Sequence, residues 1–353
     1  MALSTLASPA QRIGKIKGEI LTHAIPREIL GLIGDTRPMP KNSGDTVIFR
    51  RWLPVNATTS SPNTFFTNGT GDRTQALANQ HLASEGVTPN AETLVPQDIT
   101  VALQEFTVLF GYTKRTADLY EDDIPGAMKL QTGERLALVR ELVRFNQIKS
   151  CTNKFYGGTG TSRATVNGKL TLALLRKITK ALDLQHTDKV TEILSASPKY
   201  GTTGVEASFF VFIHTDLKPD IRDIPGFTPV ARYGSMTPVS PYEFGTIEEF
   251  RVIASPELVS VQDGGALSAG TGLFSTTGTN LDVYQVVVAG RDAWGDVALR
   301  GSKAFDIHDL KPGQIDKNDP TGQRGYMGAS CYYNAVLLNS LHMAVAEVAA
   351  TEL

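Results

Sequence analysis

Two runs of apolar positions at helical spacing organise the first half of the chain. Over residues 127–149, Leu138, Leu142 and Phe145 share one stripe with Leu136, Val139 and Val143 beside it, while Glu134, Arg135, Arg140, Glu141 and Arg144 take the other face. This pattern predicts a long amphipathic helix packed on a core, with its charges in solvent. The breaker DDIPG (122–126) precedes it, and Gly157 and Gly158 follow it. Residues 170–183 repeat the pattern, with Leu170, Leu174, Leu175, Ile178 and Leu182 on the stripe and Arg176, Lys177 and Lys180 outside it.

Elsewhere the composition is that of strands. DTVIFRRWLPV (45–55) and DITVALQEFTVLFGYT (98–113) are rich in β-formers. From residue 188 the chain breaks into KVTEIL, SFFVFI, EEFRVIA, VYQVVVAG and a terminal YNAVLLNSLHMAVAEVA, divided by Gly, Pro and Thr clusters. Phe209, Phe210 and Phe212 alternate poorly, which suits a strand covered on both faces better than a base-stacking platform. The mixture predicts an α+β fold. Residues 56–96 are polar and too long for a structureless loop in a compact domain. They read as an extended two-stranded flap, which needs a surface to lie on because an isolated hairpin is marginal in water; a second protein chain is one candidate. Residues 1–42, broken by Pro26, Pro38 and Pro40, read as an arm with a short helix around Ile25 to Leu32. Residues 261–280, rich in Gly, Ser and Thr, read as a long surface loop.

Composition narrows the function more than the fold. At 353 residues the chain exceeds the size at which one core stops growing, so two or more lobes are expected. Apolar residues make up 41% and charged residues 20%, enough for a sizeable core. The 34 basic and 36 acidic side chains gather into no basic stripe, which disfavours sequence-reading nucleic-acid binding. Cys151 and Cys331 form neither a disulfide framework nor a zinc spacing, and they suit buried packing in a reducing compartment. The first twenty residues lack the apolar core of a signal peptide, and no segment has the apolar length of a membrane span.

Candidate chemistry is thin. In SFFVFIHTDLKPDIRDIPGFTPV (208–230), strand alternation would put His214 and Asp216 on one face, as a metal pair requires, but a third ligand at a compelling spacing is missing. Asp220 and Asp223 follow on a probable helix start, where aspartates meet the positive end of the dipole. The stretch therefore reads as a strand end, a helix start and a turn. YGGTGTSRATVNGKLT (156–171) fails the phosphate-loop pattern at Arg163 and Leu170, and reads as a helix-to-helix connection. ALSAG around Ser268 fails the hydrolase elbow at Ala266. Neither catalytic, cofactor-binding nor metal residues are assigned, and no enzyme is expected.

The order of the pieces, an arm, a strand, a long flap, a strand, a long helix, a shorter helix, an α+β lobe and a terminal strand, resembles the major capsid proteins of tailed bacteriophages. SFFVFIHTDLKPDIRDIPGFTPV, FGTIEEFRVIASPEL, DVYQVVVAGRDAWGDVAL and GYMGASCYYNAVLLNSLHMAVAEVA look like the capsid family of the N-four-like podoviruses, over about residues 98–353. The resemblance implies the tailed-bacteriophage and herpesvirus major capsid fold of the Hong Kong phage type. Its parts would be an N-terminal arm (1–42), an extended loop laid on a neighbour (43–105) and a peripheral domain (106–205) with a spine helix over 127–156. An axial domain (206–320) and a return strand of the peripheral domain (321–353) would follow. It implies self-assembly as hexamers and pentamers into an icosahedral shell in the virion, assembled in the host cytoplasm. Double-stranded DNA would be enclosed without sequence reading; portal, scaffolding and decoration proteins are further partners it suggests, and no membrane. Residues 46–105 contain no lysine, so a shell without lysine cross-links through that loop is expected, and the short arm leaves no room for a fused scaffolding domain. The competing readings are an encapsulin-like compartment and a hydrolase or metal enzyme using His214, Asp216 and Asp220.

Overall fold

A computed structural model of the chain describes residues 28–40, 42, 44–53, 79, 82–88, 93–119, 123–194, 202–234, 237–268, 270–299, 305–315 and 319–352. Most of the expected arm and the outer part of the expected flap lie outside the described residues. In chain order, a single 3-10 turn (Leu30–Leu32) and strands β1 (Asp35–Met39), β2 (Thr46–Trp52), β3 (Pro96–Ala102) and β4 (Gln104–Thr113) lead into helices α1 (Lys114–Leu119) and α2 (Ile124–Ile148). Next come β5 (Lys154–Tyr156), α3 (Leu172–Leu184), β6 (Val190–Leu194), β7 (Thr202–His214), α4 (Lys218–Arg222), β8 (Phe227–Pro229), β9 (Glu243–Ile247) and β10 (Phe250–Ser255). The chain closes with β11 (Tyr284–Ala289), β12 (Trp294–Leu299), β13 (Asp306–Leu310), β14 (Arg324–Leu337) and β15 (Met343–Val348).

These strands form an eight-stranded sheet in the order β5-β15-β11-β7-β10-β9-β8 with β6 also on β7. A five-stranded sheet holds β14 between β4 on one side and β12 and β13 on the other, with β1 parallel to β12. The ribbon β2–β3 stands apart as a two-stranded sheet.

The eight-stranded sheet is covered on both faces, which explains the unbroken apolar runs of β10, β11 and β15. On one face Phe209, Val211, Val252, Val286 and Val348 pack with Leu175, Ile178 and Leu182 of α3. On the other, Phe210, Phe212, Ile253, Val287 and Val345 pack with Phe145 and Ile148 at the end of α2 and with Ile29, Leu30 and Trp294. Further along α2, Leu136 packs with Ala298, Ala329, Cys331 and Tyr333 of the five-stranded sheet. One helix thus joins both sheets. Its start is set by Asp123, whose carboxylate accepts the Gly126 N–H at 3.1 Å, with Pro125 in the first turn.

Several expectations change. The buried face of α2 is not the Leu138–Leu142 stripe: Leu142 is exposed, and Arg140, Glu141 and Arg144 are buried with Leu136, Phe145 and Ile148. The reason is a set of counter-charges described below. The single strand expected over 98–113 is two, because the chain leaves the ribbon at Leu103 and enters the five-stranded sheet. The terminal segment is likewise two strands in different sheets, β14 with the five and β15 with the eight. β12 and β13 pair in the five-stranded sheet, because β14 takes both along one edge. The loop 261–280 is pinned: buried Asp282 accepts the Asp263 N–H at 3.1 Å and the Thr276 hydroxyl at 2.6 Å, and Leu273 bridges Thr351. The Gly-rich connection starts from the last residue of β5, and Gly157 is required there because a Cβ would sit 2.3 Å from the Gly168 carbonyl oxygen.

Candidate assembly surfaces and the His214 cluster

β7 ends at His214, and the next three residues form a 3-10 turn rather than more strand. His214 caps that turn: its Nδ1 accepts the Asp216 N–H at 3.2 Å and lies 3.1 Å from Asp216 Oδ2. The Tyr284 hydroxyl donates to the same oxygen at 2.7 Å, and burial together with Asp216 pushes the Tyr284 phenol well up. Asp220 serves a different partner, accepting the Thr351 N–H at 2.9 Å and the Thr351 hydroxyl, with Lys169 Nζ at 3.4 Å. Asp223 is the exposed C-cap of α4. The sequence pairing of His214 with Asp216 is met, but through a cap rather than strand alternation, and Asp220 is turned to the C-terminal segment. Among the described residues no group of three or more His, Cys, Asp or Glu side chains is placed to hold a metal. Cys151 and Cys331 are buried and free, and burial pushes both thiols up, away from nucleophilic character.

The densest polar cluster lies on α2. Arg144 Nε donates to Asp296 Oδ2 on β12 at 2.7 Å, and its Nη1 donates to Glu28 and, at 3.4 Å, to Glu141 Oε2. Arg140 Nη2 reaches Glu28 Oε2 at 3.2 Å. The Tyr333 hydroxyl on β14 donates to Asp296 Oδ1 at 2.8 Å, and Glu141 Oε1 accepts the N–H groups of Ile29 and Leu30 at 3.1 and 3.0 Å. Five ionisable groups beside one tyrosine therefore tie the segment entering β1 to the helix and to β12 and β14. Two arginines face three carboxylates in a site where Arg144, Glu141 and Asp296 are buried and Glu28 is partly exposed. Burial raises Glu141 to about 7 against the opposing pull of Arg144. At Glu28 burial also works upward, but Arg144 and Arg140 hold the carboxyl below its ordinary value.

The sign of the pH dependence follows. Because the folded-state value of Glu141 lies above the unfolded one, the penalty for its charge is absent below about pH 4.5, accumulates up to about 7 and is complete above that. His342, held low by burial, works the other way below its ordinary value of 6.5. Comparing Glu141→Gln with the parent isolates the carboxyl while keeping an acceptor for Ile29 and Leu30. The variant is expected to gain on the order of 3 kcal/mol relative to the parent between pH 5 and 8, read by urea unfolding; parallel curves would contradict it.

Outside the core, the ribbon shows strict alternation. Val47, Phe49, Ile99 and Val101 face inward onto Met39, Val297, Val336 and Leu338. Ile48 and Trp52 face outward at 57% and 59% exposure, flanking an Arg50–Asp98 pair at 2.7 Å. The two large sheets end differently. The eight-stranded one closes on β5 and β8, each three residues, the latter ending in Pro229, which blocks further pairing. The five-stranded one ends on β1, on the ten-residue β4 and on β13, the last exposed along its whole length with Ile307 and Leu310 in solvent. Open edges and outward apolar side chains are thus gathered on the ribbon and the five-stranded sheet.

This architecture is the capsid fold of tailed bacteriophages. The chain superposes end to end on the capsid of Ralstonia phage GP4 with a TM-score of 0.67, 12% identity and coverage of 100% of this chain and 99% of the other. The head structure of Helicobacter pylori bacteriophage KHP40 gives 0.61 at 12% identity over 100% and 98%, and the capsid of cyanophage P-SCSP1u gives 0.56 at 14% over 96% and 93%. In sequence the chain is similar to the major capsid protein of Pseudomonas phage KPP21, 20% identical over 250 residues that cover 65% of this chain. The match spans 62% of that relative's own length, a little under two thirds. No family model matches the chain.

Proposed function

We propose that this chain is a major capsid protein that self-assembles into the icosahedral shell around a phage double-stranded DNA genome, a structural rather than a catalytic role. The observation that carries it is the end-to-end superposition on capsid subunits, including the ribbon and both sheets rather than one lobe alone. In this reading the five-stranded sheet with α2 is the peripheral domain and α2 its spine, the eight-stranded sheet is the axial domain, and β2–β3 is the root of the extended loop. The shell would be held by many modest contacts made strong together by multivalency. Near-neutral charge suits an inner wall that encloses DNA without gripping it. Assembly in the host cytoplasm fits the two free, buried thiols.

The enzyme reading through His214, Asp216 and Asp220 is the less supported one, since the Asp216 carboxylate accepts the Tyr284 hydroxyl and Asp220 is turned away to the Thr351 N–H. Replacing His214 by alanine is expected to cost about 1 kcal/mol and to leave assembly unchanged; loss of assembly in a stably folded H214A chain would contradict that. Sedimentation velocity on the purified chain tests the shell itself. Fast-sedimenting particles are expected, and a species that stays monomeric across salt and concentration would refute the reading.

A further inference from the structure

At the root of the ribbon, Asp35, Arg37, Arg50, Arg51, Asp292 and His342 line one cleft of about 280 Å³. Its charges can be accounted for pair by pair. Arg37 has Asp35 at 3.0 Å, Arg50 has Asp98 at 2.7 Å, and Asp292 has the neighbouring Arg291 at 3.7 Å. Arg51 is left over. It sits on the inward face of β2 after Val47 and Phe49, where the alternation calls for an apolar residue, and its Nε donates only to the Gln97 side-chain oxygen at 2.7 Å. Among the described residues it has no carboxylate partner, and burial lowers its guanidinium from the ordinary value. Across the cleft, His342 Nδ1 is buried without a hydrogen-bond partner. A half-buried cation without a carboxylate partner among the described residues is costly when left so, and an oxyanion entering the cleft offsets it.

We propose that this cleft is a carboxylate-binding site, with Arg51 as its cationic fork and His342 coupled to it through charge, filled in the assembled protein by an acidic side chain of a second copy of the chain. The identity of the occupant rests on the shell reading above; the chemistry of the site does not. The planar guanidinium matches a carboxylate with two parallel N–H donors. The outward Ile48 and Trp52 on the same ribbon place the cleft beside the apolar surface a neighbour would cover.

Binding would carry a proton with it. Burial and then the Arg51 charge hold His342 low, against the backbone of Arg291 and the carboxylates of Asp292 and Asp188; Asp35, Arg37 and Arg50 are the remaining charges lining the cleft. An arriving carboxylate offsets Arg51 and lets His342 take up a proton. Affinity should therefore rise as pH falls, by at most about tenfold per pH unit for one proton.

The test has two arms. In the first, the unfolding temperature of dissociated subunits is measured in sodium acetate against sodium chloride at matched ionic strength, at pH 5.5 and 7.5. Acetate is expected to raise it more at pH 5.5, with the difference lost in Arg51→Gln and weakened in Arg51→Lys; an equal acetate response in R51Q would overturn the site. In the second, assembled particles are dissociated in guanidinium at both pH values. R51Q particles are expected to fall apart earlier and His342→Gln particles to lose the pH response. Normal particles from R51Q, with the acetate response gone, would overturn the second copy as occupant. Absence of particles even from the parent chain would refute the shell reading instead, and the acetate arm would still decide the site.

Discussion

Arg144→Met is expected to destabilise the chain by about 3–5 kcal/mol, the largest effect of any single substitution considered. The methionine fills similar volume, so the loss is electrostatic. It leaves Asp296 and Glu141 buried and Glu28 half-buried, with Arg140 as the remaining cation. Removing one partner of a buried network strands the others without compensation, whereas removing the whole set is often tolerated. The quadruple change Arg144→Met, Asp296→Leu, Glu28→Gln and Glu141→Gln should therefore recover part of the loss. Urea unfolding of R144M decides it, and a loss below 1 kcal/mol would mean that water reaches the cluster.

The second large effect is on association rather than folding. Ile48→Asp with Trp52→Asp should leave subunit stability within about 0.5 kcal/mol, because both side chains are exposed in the chain by itself. Assembly should be abolished, because each carboxylate would be buried unpaired against a neighbour. Light scattering of the purified variant reads this directly. Shells of ordinary yield would show that this face of the ribbon points to solvent, and a large stability loss would show that the ribbon is packed more tightly than its exposure says.

The fold was legible wherever one period ruled a segment. Phe209, Phe210 and Phe212 announced a two-sided strand, and each side found its own core. Reading failed where a partner came from far along the chain. Arg140, Glu141 and Arg144 were assigned to solvent because charges usually go there, and their counter-charges Glu28 and Asp296 lie more than a hundred residues away. A signal was present all the same: Leu136, Arg140, Arg144 and Ile148 recur every fourth residue, so two arginines share a line with buried apolar residues at both ends. Arg51 gave a similar signal, standing in period two with Val47 and Phe49. His214 and Asp216 were paired correctly, but sequence could not show that the strand stops at His214 or that Tyr284 would come to meet the aspartate. The division of strands between sheets also escaped, because Leu103, and the turn between Leu337 and Met343, switch sheets within segments whose apolar character runs on.

Negative-stain electron microscopy of the purified chain, at several concentrations and salt conditions, tests the central claim most directly. The account predicts closed icosahedral shells or rings of six and five subunits, absent from the Ile48→Asp, Trp52→Asp chain and present in H214A. A uniform monomer or dimer from the parent chain under every condition would contradict it.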